Sequence, residues 1–332
     1  MSLQLLRWLL AFLTERKAVM RLDNEEDALQ AVDTGIPQGS PSPPVLYILF
    51  AAPLHRRFGP SAEDEDQRYV RALSFVDDKA LYACSTSVDK NIRLLGEAYR
   101  RALRWASEQG LSFDAEKRDL INFAPLRHRL PRPPLSLPDG EVEATRESGT
   151  VNWLGILLDP RLRFNGHVEA CAKKGHQAAT AMNMLMNTRK GMRAQDARRL
   201  YVSCVHAVMT YAAPVWWQGL SITDPGRPLQ QQARGRSRAI MGPAAGPPTT
   251  RSALHAQAHL RSLEVIQHQA LRRVLPAYRT TSRTALQVEA SCPPLDIYLD
   301  LVCAQAALRM RTLGLHHPIS RRVRPGALIV DS

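Results

Sequence analysis

Asp77 and Asp78 stand side by side between two short apolar runs, Val70 to Val76 and Ala80 to Cys84. Two carboxylates ~4 Å apart repel by ~1 kcal/mol in water and ~4 kcal/mol at an effective dielectric of about 20, so a bound cation relieves the pair. Their hard oxygen donors suit Mg²⁺ or Mn²⁺. Two such ions ~3.5–4 Å apart activate an attacking hydroxyl and stabilise the leaving oxygen in phosphoryl transfer. Aspartate is also a favoured turn residue, so an exposed hairpin turn accounts for an isolated Asp-Asp pair more often than a metal site does.

The second candidate is Gly35-Ile36-Pro37-Gln38-Gly39-Ser40-Pro41. Glycine lets a backbone approach a ligand closely, and proline holds the approach rigid. Gln38 and Ser40 add hydrogen-bonding groups for a nucleotide or a template. A structural loop has the same composition, so neither cluster names a reaction by itself.

These residues need elements to hold them, and 332 residues leave room for about two domains. Leu5, Trp8, Leu9, Phe12 and Leu13 repeat at helical spacing behind a Ser2 cap, and the pattern ends at Thr14-Glu15-Arg16-Lys17. The acidic stretch Asp23 to Asp27 reads as a loop, and Pro44 to Phe58 as a buried helix. The runs flanking the acidic pair read as two strands around a turn. Ile92, Leu95, Ala98, Tyr99, Ala102 and Leu103 give a helical stripe over 88–109 that Gly110 stops. Leu120 to Phe123 reads as a short strand, the prolines between 125 and 138 exclude a helix, and Val151 to Leu158 reads as a strand that closes an α/β portion. Beyond Asn165 the pattern predicts helices over 165–190, 194–218, 228–241, 252–275 and 296–314.

Charge separates the two halves. Residues 1–160 carry a net −3 and residues 161–332 a net +16, within a chain of ordinary globular composition, 45% apolar and 23% charged. The positive half suits a polyanion. Five cysteines without a C-x-x-C spacing write neither a disulfide framework nor a zinc ribbon, which favours a reducing, intracellular compartment, nuclear or cytoplasmic, over secretion. The longest clean apolar run, Val45 to Leu54, is half the ~20 residues a bilayer span needs, so no membrane partner is expected.

Order adds what each cluster lacks alone. The Gly35 to Pro41 segment is followed by Phe75-Val76-Asp77-Asp78, by Gly110-Leu111-Ser112-Phe113-Asp114-x-x-Lys117, and by Trp153-Leu154-Gly155-Ile156-x-Leu158-Asp159. The series resembles the reverse transcriptases of non-LTR, LINE-type retrotransposons. The likeness continues through Tyr211-x-x-Pro214-Val215-Trp216, Thr284-Ala285-Leu286-x-x-Glu289 and His317-Pro318.

The resemblance implies an α/β palm fragment of a right-hand polymerase followed by a mostly α-helical thumb and connection region. On that reading residues 1–160 are partial palm, 161–245 thumb and 246–332 the C-terminal connection region. The implied activity is RNA-directed DNA synthesis, with an RNA template, a DNA primer, deoxynucleotide triphosphates, and Mg²⁺ or Mn²⁺. Asp77 and Asp78 resemble the metal-binding acids of the family's F-x-D-D motif, and Lys117 its phosphate-facing lysine. Phe75, Pro37, Gln38, Gly39 and Ser40 resemble its nucleotide and template contacts. In the family a further palm aspartate precedes the helix that Leu3 to Arg16 resembles. The expectation is therefore a chain truncated at its N-terminus, lacking the fingers and that strand, and impaired or inactive alone. A non-catalytic nucleic-acid-binding remnant of a decayed element is the alternative.

Lys173, Lys174, Arg189, Lys190, Arg193, Arg198 and Arg199 are the candidate nucleic-acid contacts of the basic half. Each is also compatible with a solvated helix face. His255 and His259 have a helical pair spacing without the context of a zinc motif, and Trp216-Trp217 reads as core in preference to a stacking platform.

Overall fold

A computed structural model describes residues 2–22, 25–32, 34–37, 39–58, 69–123, 133–186, 191–217, 219 and 251–313, with side chains omitted over 251–255. It divides into two compact units, Met1–Arg118 with Pro133–Glu143, and Asp119–Arg132 with Ala144–Ser332. Each is described by itself.

In the first unit, helix α1 (Leu3–Leu13) starts where Ser2 Oγ accepts the Leu5 N–H at 3.2 Å. The predicted acidic loop is instead a narrow antiparallel ribbon. Strands β1 (Lys17–Ala18) and β4 (Gln30–Ala31) pair, and beyond them β2 (Arg21–Leu22) pairs with β3 (Glu25–Glu26). Arg21 Nε meets Glu26 at 2.8 Å across the ribbon, a cross-strand use for an acid that composition alone assigned to solvent.

Helix α2 (Pro43–Arg56) carries prolines in its first turn, where a missing N–H costs nothing. Strands β5 (Val70–Phe75) and β6 (Asp78–Ala83) form an antiparallel hairpin. Helix α3 (Val88–Glu108) is capped by Ser87 and ends at Gly110, whose φ of +69° lets the Leu111 N–H turn back to the Ala106 carbonyl. Its buried stripe runs through Leu94, Ala98, Ala102, Trp105 and Ala106, rotated from the predicted one: Ile92 and Leu95 are only half-buried. These side chains pack with Leu54 of α2, Phe58 just beyond that helix and Val70 of β5 into one core. A second hairpin, β7 (Leu135–Leu137) with β8 (Gly140–Val142), lies in the proline-rich stretch. That stretch is not helical where it is described, as expected, but contains strands the prolines obscured.

In the second unit the predicted strand at Leu120 is a single bridge to Ala144. Val151 to Leu158 is two strands, β9 (Val151–Trp153) and β10 (Ile156–Leu158), turning at Leu154 and Gly155, whose φ values are +51° and +77°. Asp159 then accepts the N–H groups of Arg161 and Phe164 and feeds the chain into α4 (Asn165–Leu185).

The single helix predicted over 194–218 is broken into α5 (Ala194–Leu200), a π-helical turn (Tyr201–His206), α6 (Ala207–Met209) and α7 (Ala213–Trp216), with Ala212 at φ +55° and Pro214 in the last piece. The predicted helix at 228–241 lies outside the described residues. Helices α8 (Arg251–Val274) and α10 (Leu295–Arg311) match prediction within a few residues. Between them lies α9 (Arg283–Glu289), capped by Ser282 Oγ, a helix that the apolar pattern does not predict.

These helices share the larger core, which includes Tyr201, Met209, Leu263, Leu271 and Leu299. Trp216 and Trp217 are in it, as the core reading expected. Gly175 of α4 is closed by Met209, whose Cγ lies well inside contact distance of any added Cβ. Gly175→Ala is expected to cost ~1–3 kcal/mol despite alanine's better helix propensity, read as a lowered urea midpoint.

Candidate active site

The hairpin fixes the acidic pair by register. Phe75 pairs with Asp78, leaving Val76 and Asp77 as a two-residue turn. Cross-strand partners then alternate between faces. Val70, Ala72, Leu81 and Ala83 pack on the helical core, while Leu73, Phe75, Asp78 and Tyr82 are exposed. Asp77 is at the tip and Asp78 begins the exposed face, so the two carboxylates leave the backbone in different directions.

Val76, at the first turn position, has φ +52°. Two-residue hairpins favour glycine at such a position, and a β-branched residue there is strained by ~1–3 kcal/mol.

What overrides that strain is an anchor on the other face. Lys79 donates to the Val76 carbonyl at 3.0 Å, and its Nζ lies 4.7 Å from the centre of the Tyr47 ring of α2. Burial lowers the Lys79 pKa and Asp77's charge opposes that shift. Burial, followed by Asp77's charge, raises Tyr47. His55, also on α2, bonds Ser74 Oγ at 2.6 Å, and burial, then the charge of Lys79, lowers its pKa. The turn bearing the acids is therefore held by α2, the helix that the Gly35 to Pro41 loop enters. Lys79, Tyr47 and His55 were not among the sequence candidates; the signal for Lys79 was its place directly after the pair.

The loop is fixed from its other end. Arg16 donates from Nη2 to the carbonyls of Thr34 and Gly35 at 3.1 and 2.8 Å, and from Nε to Leu13 at the end of α1. Gly35 and Gly39 have φ of +79° and +90°, and a Cβ on either would meet nothing within 4 Å. Glycine is required there by backbone conformation and not by crowding. Ser40 Oγ lies 3.1 Å from Ser42 Oγ and Pro37 is half-buried; Gln38 lies outside the described residues.

Lys117 is placed apart from this arrangement in its bonding. It sits on a short 3₁₀ turn, Ala115–Lys117, 83% exposed and paired with Asp114 at 3.2 Å. Asp114's carboxyl is lowered, first by the Glu116 N–H and then by Lys117.

Can the pair hold a divalent ion? Neither the Asp77 nor the Asp78 side chain has a hydrogen bond or ion pair among the described residues. Both offer exposed carboxylate oxygens, the donors Mg²⁺ takes, and Mg²⁺ commonly binds through one or two carboxylates with water and substrate phosphates completing the shell. Among the described residues no group of three or more His, Cys, Asp or Glu is placed to hold a metal. The donor chemistry fits a shared, substrate-completed site and not a closed structural one.

The basic candidates divide. Lys173 and Lys174 are exposed on α4. Arg193 and Arg199 are exposed and share Asp196, at 3.0 and 3.6 Å. Arg198 is turned inward: its Nε and Nη2 bond the carbonyls of Ala290 and Ser291 at 2.6 and 2.8 Å, closing the end of α9. Its charge caps a helix. Arg189 and Lys190 lie outside the described residues. His259 bonds Asn165 Oδ1 at 2.8 Å, and the side chain of His255 is outside the described residues.

Among the described residues no helix is long and apolar enough to cross a membrane. Residues 3–158 match the reverse transcriptase (RNA-dependent DNA polymerase) family. Among curated proteins, the chain is 28% identical over 208 residues to a probable RNA-directed DNA polymerase from transposon BS of Drosophila melanogaster, covering 62% of this chain and 22% of that protein. It is 24% identical over 216 residues to the RNA-directed DNA polymerase from mobile element jockey of Drosophila funebris, covering 65% and 23%. To the jockey polymerase of Drosophila melanogaster it is 22% identical over 321 residues, covering 96% and 30%. The chain thus spans between about a fifth and a third of the length of these relatives. No solved structure gives a significant match.

Proposed function

We propose, from the premise that this chain belongs through residues 3–158 to the reverse transcriptase family of non-LTR retrotransposon polymerases, that it supplies the part of an RNA-directed DNA polymerase that carries the Asp77-Asp78 site. Membership implies a right-hand polymerase fold. Within it residues 1–160 are part of the palm, 161–245 the thumb and 246–332 a connection region. The observation that carries the reading is the exposed acidic pair on a two-residue hairpin turn, anchored through Lys79 and Tyr47 to the helix that follows the Gly35 to Pro41 loop.

Bound divalent ions would lower the cost of deprotonating a primer 3′-hydroxyl and of charge developing on the released pyrophosphate. Asp77 and Asp78 would hold them, with template RNA and an incoming deoxynucleotide triphosphate as substrates. Phe75, next to Asp78 on the open face, offers an apolar surface to the nucleotide or primer end. The Gly35 to Pro41 loop presents Gln38, Gly39 and Ser40 toward nucleotide or template. Lys117 would share its charge between Asp114 and a phosphate.

Among the described residues no third carboxylate joins the pair, which would leave the ions weakly held, so the 332-residue chain alone is proposed to incorporate nucleotides poorly or not at all. Mn²⁺ binding, followed by the loss of the free-ion electron paramagnetic resonance signal, tests the site independently of turnover. The expected result is millimolar-range binding, strengthened by a deoxynucleotide triphosphate and lost in Asp77→Asn. Binding unchanged in Asp77→Asn and in Asp78→Asn would sink the assignment. Metal-independent retention of RNA with no Mn²⁺ site would favour the non-catalytic remnant.

A further inference from the structure

The second unit contains a cleft of about 810 Å³ that none of the residues discussed so far as nucleic-acid contacts lines. Its walls are the later turns of α4 (His176, Thr180, Asn183), the segment at Met192, and the end of α8 with the residues just beyond it (Arg272, Arg273, Arg279). We propose that this cleft binds a short single-stranded stretch of RNA, through its backbone phosphates and one or two unstacked bases. The inference draws on the nucleic-acid reading above but uses none of its catalytic residues.

Charge is the first argument. Among the described residues the ionisable lining groups are three arginines and a histidine, and no carboxylate is among them. Arginines in the last turn of a helix also offset its dipole, which accounts for Arg272 and Arg273 but not for Arg279, beyond the helix end. Arg272 bonds the Arg279 carbonyl at 3.4 Å, so the two guanidinium groups sit on segments tied to each other. Arg273 and Arg279 are exposed and enter none of the ion pairs described.

Shape and chemistry select a single strand over a duplex. The volume is that of a small-molecule pocket, several hundred Å³, which takes bases splayed out of a stack but not the breadth of a double helix. Thr180, Asn183 and Gln269 can address base edges, and Met186, Met192 and Val274 give an apolar floor. Tyr278 stands between the lining residues Ala277 and Arg279 and is 86% exposed, so its ring offers a face on which an unstacked base can stack.

Fluorescence anisotropy of the full 332-residue chain with a labelled unstructured RNA, titrated across salt concentrations, tests this. Replacing Arg273 and Arg279 together by glutamine, two exposed positions, is expected to reduce the slope of log K against log salt by about 1.4, since each single-strand phosphate contact contributes about 0.7. Tyr278→Ala is expected to weaken binding about tenfold with the salt slope unchanged. Thr180→Trp fills the cleft without altering charge and should also weaken binding; RNA affinity insensitive to both Thr180→Trp and Tyr278→Ala would overturn the proposal. A hairpin duplex binding as tightly as the single strand would overturn it as well. Circular dichroism of each variant checks folding. Mn²⁺ binding should be unchanged in Thr180→Trp and in Tyr278→Ala, so failure of the cleft and failure of the polymerase site give different results.

Discussion

Replacing Asp77 by asparagine is expected to lower nucleotide incorporation by at least ~10³-fold in a chimeric polymerase in which residues 3–158 replace the matching segment of a jockey-type relative. The variant removes a charged carboxylate oxygen, the proposed metal donor, at the turn tip while keeping side-chain size. Loss of ~4 kcal/mol of transition-state stabilisation, the scale of a metal's electrostatic contribution, corresponds to that factor. The tip position matters because Asp77's charge is felt by Lys79 and Tyr47, so the same substitution should also shift the tyrosine titration downward. Asp78, at the first position of β6 on the open face, has a different direction and need not carry an equal share. Primer extension on an RNA template with Mg²⁺ or Mn²⁺ checks the first effect. Robust extension by the unmodified 332-residue chain, abolished by Asp77→Asn, would show that two carboxylates suffice and that the proposed requirement for a third is wrong.

The other large effect is an acid-labile second unit. His206 is buried in the larger core, edge-on to Tyr298 at 4.2 Å, and burial lowers its pKa from the ordinary 6.5 to about 4. A depressed histidine binds its proton more readily in the unfolded chain. Its contribution to stability is therefore fully present above pH about 6.5, falls as pH drops toward about 4, and changes no further below that value. The full loss amounts to ~3 kcal/mol. His167, buried against the Tyr211 carbonyl and Cys171, is lowered chiefly by burial too and acts in the same sense. Urea midpoints measured between pH 7 and 4 should thus fall more steeply for the parent chain than for His206→Phe, which keeps an aromatic ring against Tyr298. Parallel slopes for the two proteins would contradict the assignment.

The hairpin around the acidic pair was legible because two short apolar runs flank favoured turn residues there. The same holds for α1 with its serine cap and for α3 with its terminal glycine. Three failures have different physical origins. Glu25 and Glu26 read as a solvated loop because their strand is two residues long and fully exposed, so no alternation of burial could mark it. The helix over 194–218 read as continuous because neither the π-helical turn nor the left-handed Ala212 that breaks the path leaves a signature in its residue types. Arg198 read as a surface charge because its acceptors, Ala290 and Ser291, are more than ninety positions away and are backbone carbonyls. At the site, the sequence named the acids and the glycine loop but not Lys79, Tyr47, His55 and Arg16, which act through long-range contacts.

Among the described residues each of the five sheets is a single pair of strands. Each of those strands therefore has one side without a neighbouring strand among the described residues, and on β5 and β6 that border adjoins Leu73, Phe75 and Tyr82. An added extended segment, whether from an assembling polymerase or from a neighbouring molecule of the same chain, finds a ready template there. Concentration and company, more than intrinsic foldedness, thus govern whether the hairpin that bears the acids is completed or consumed by self-association.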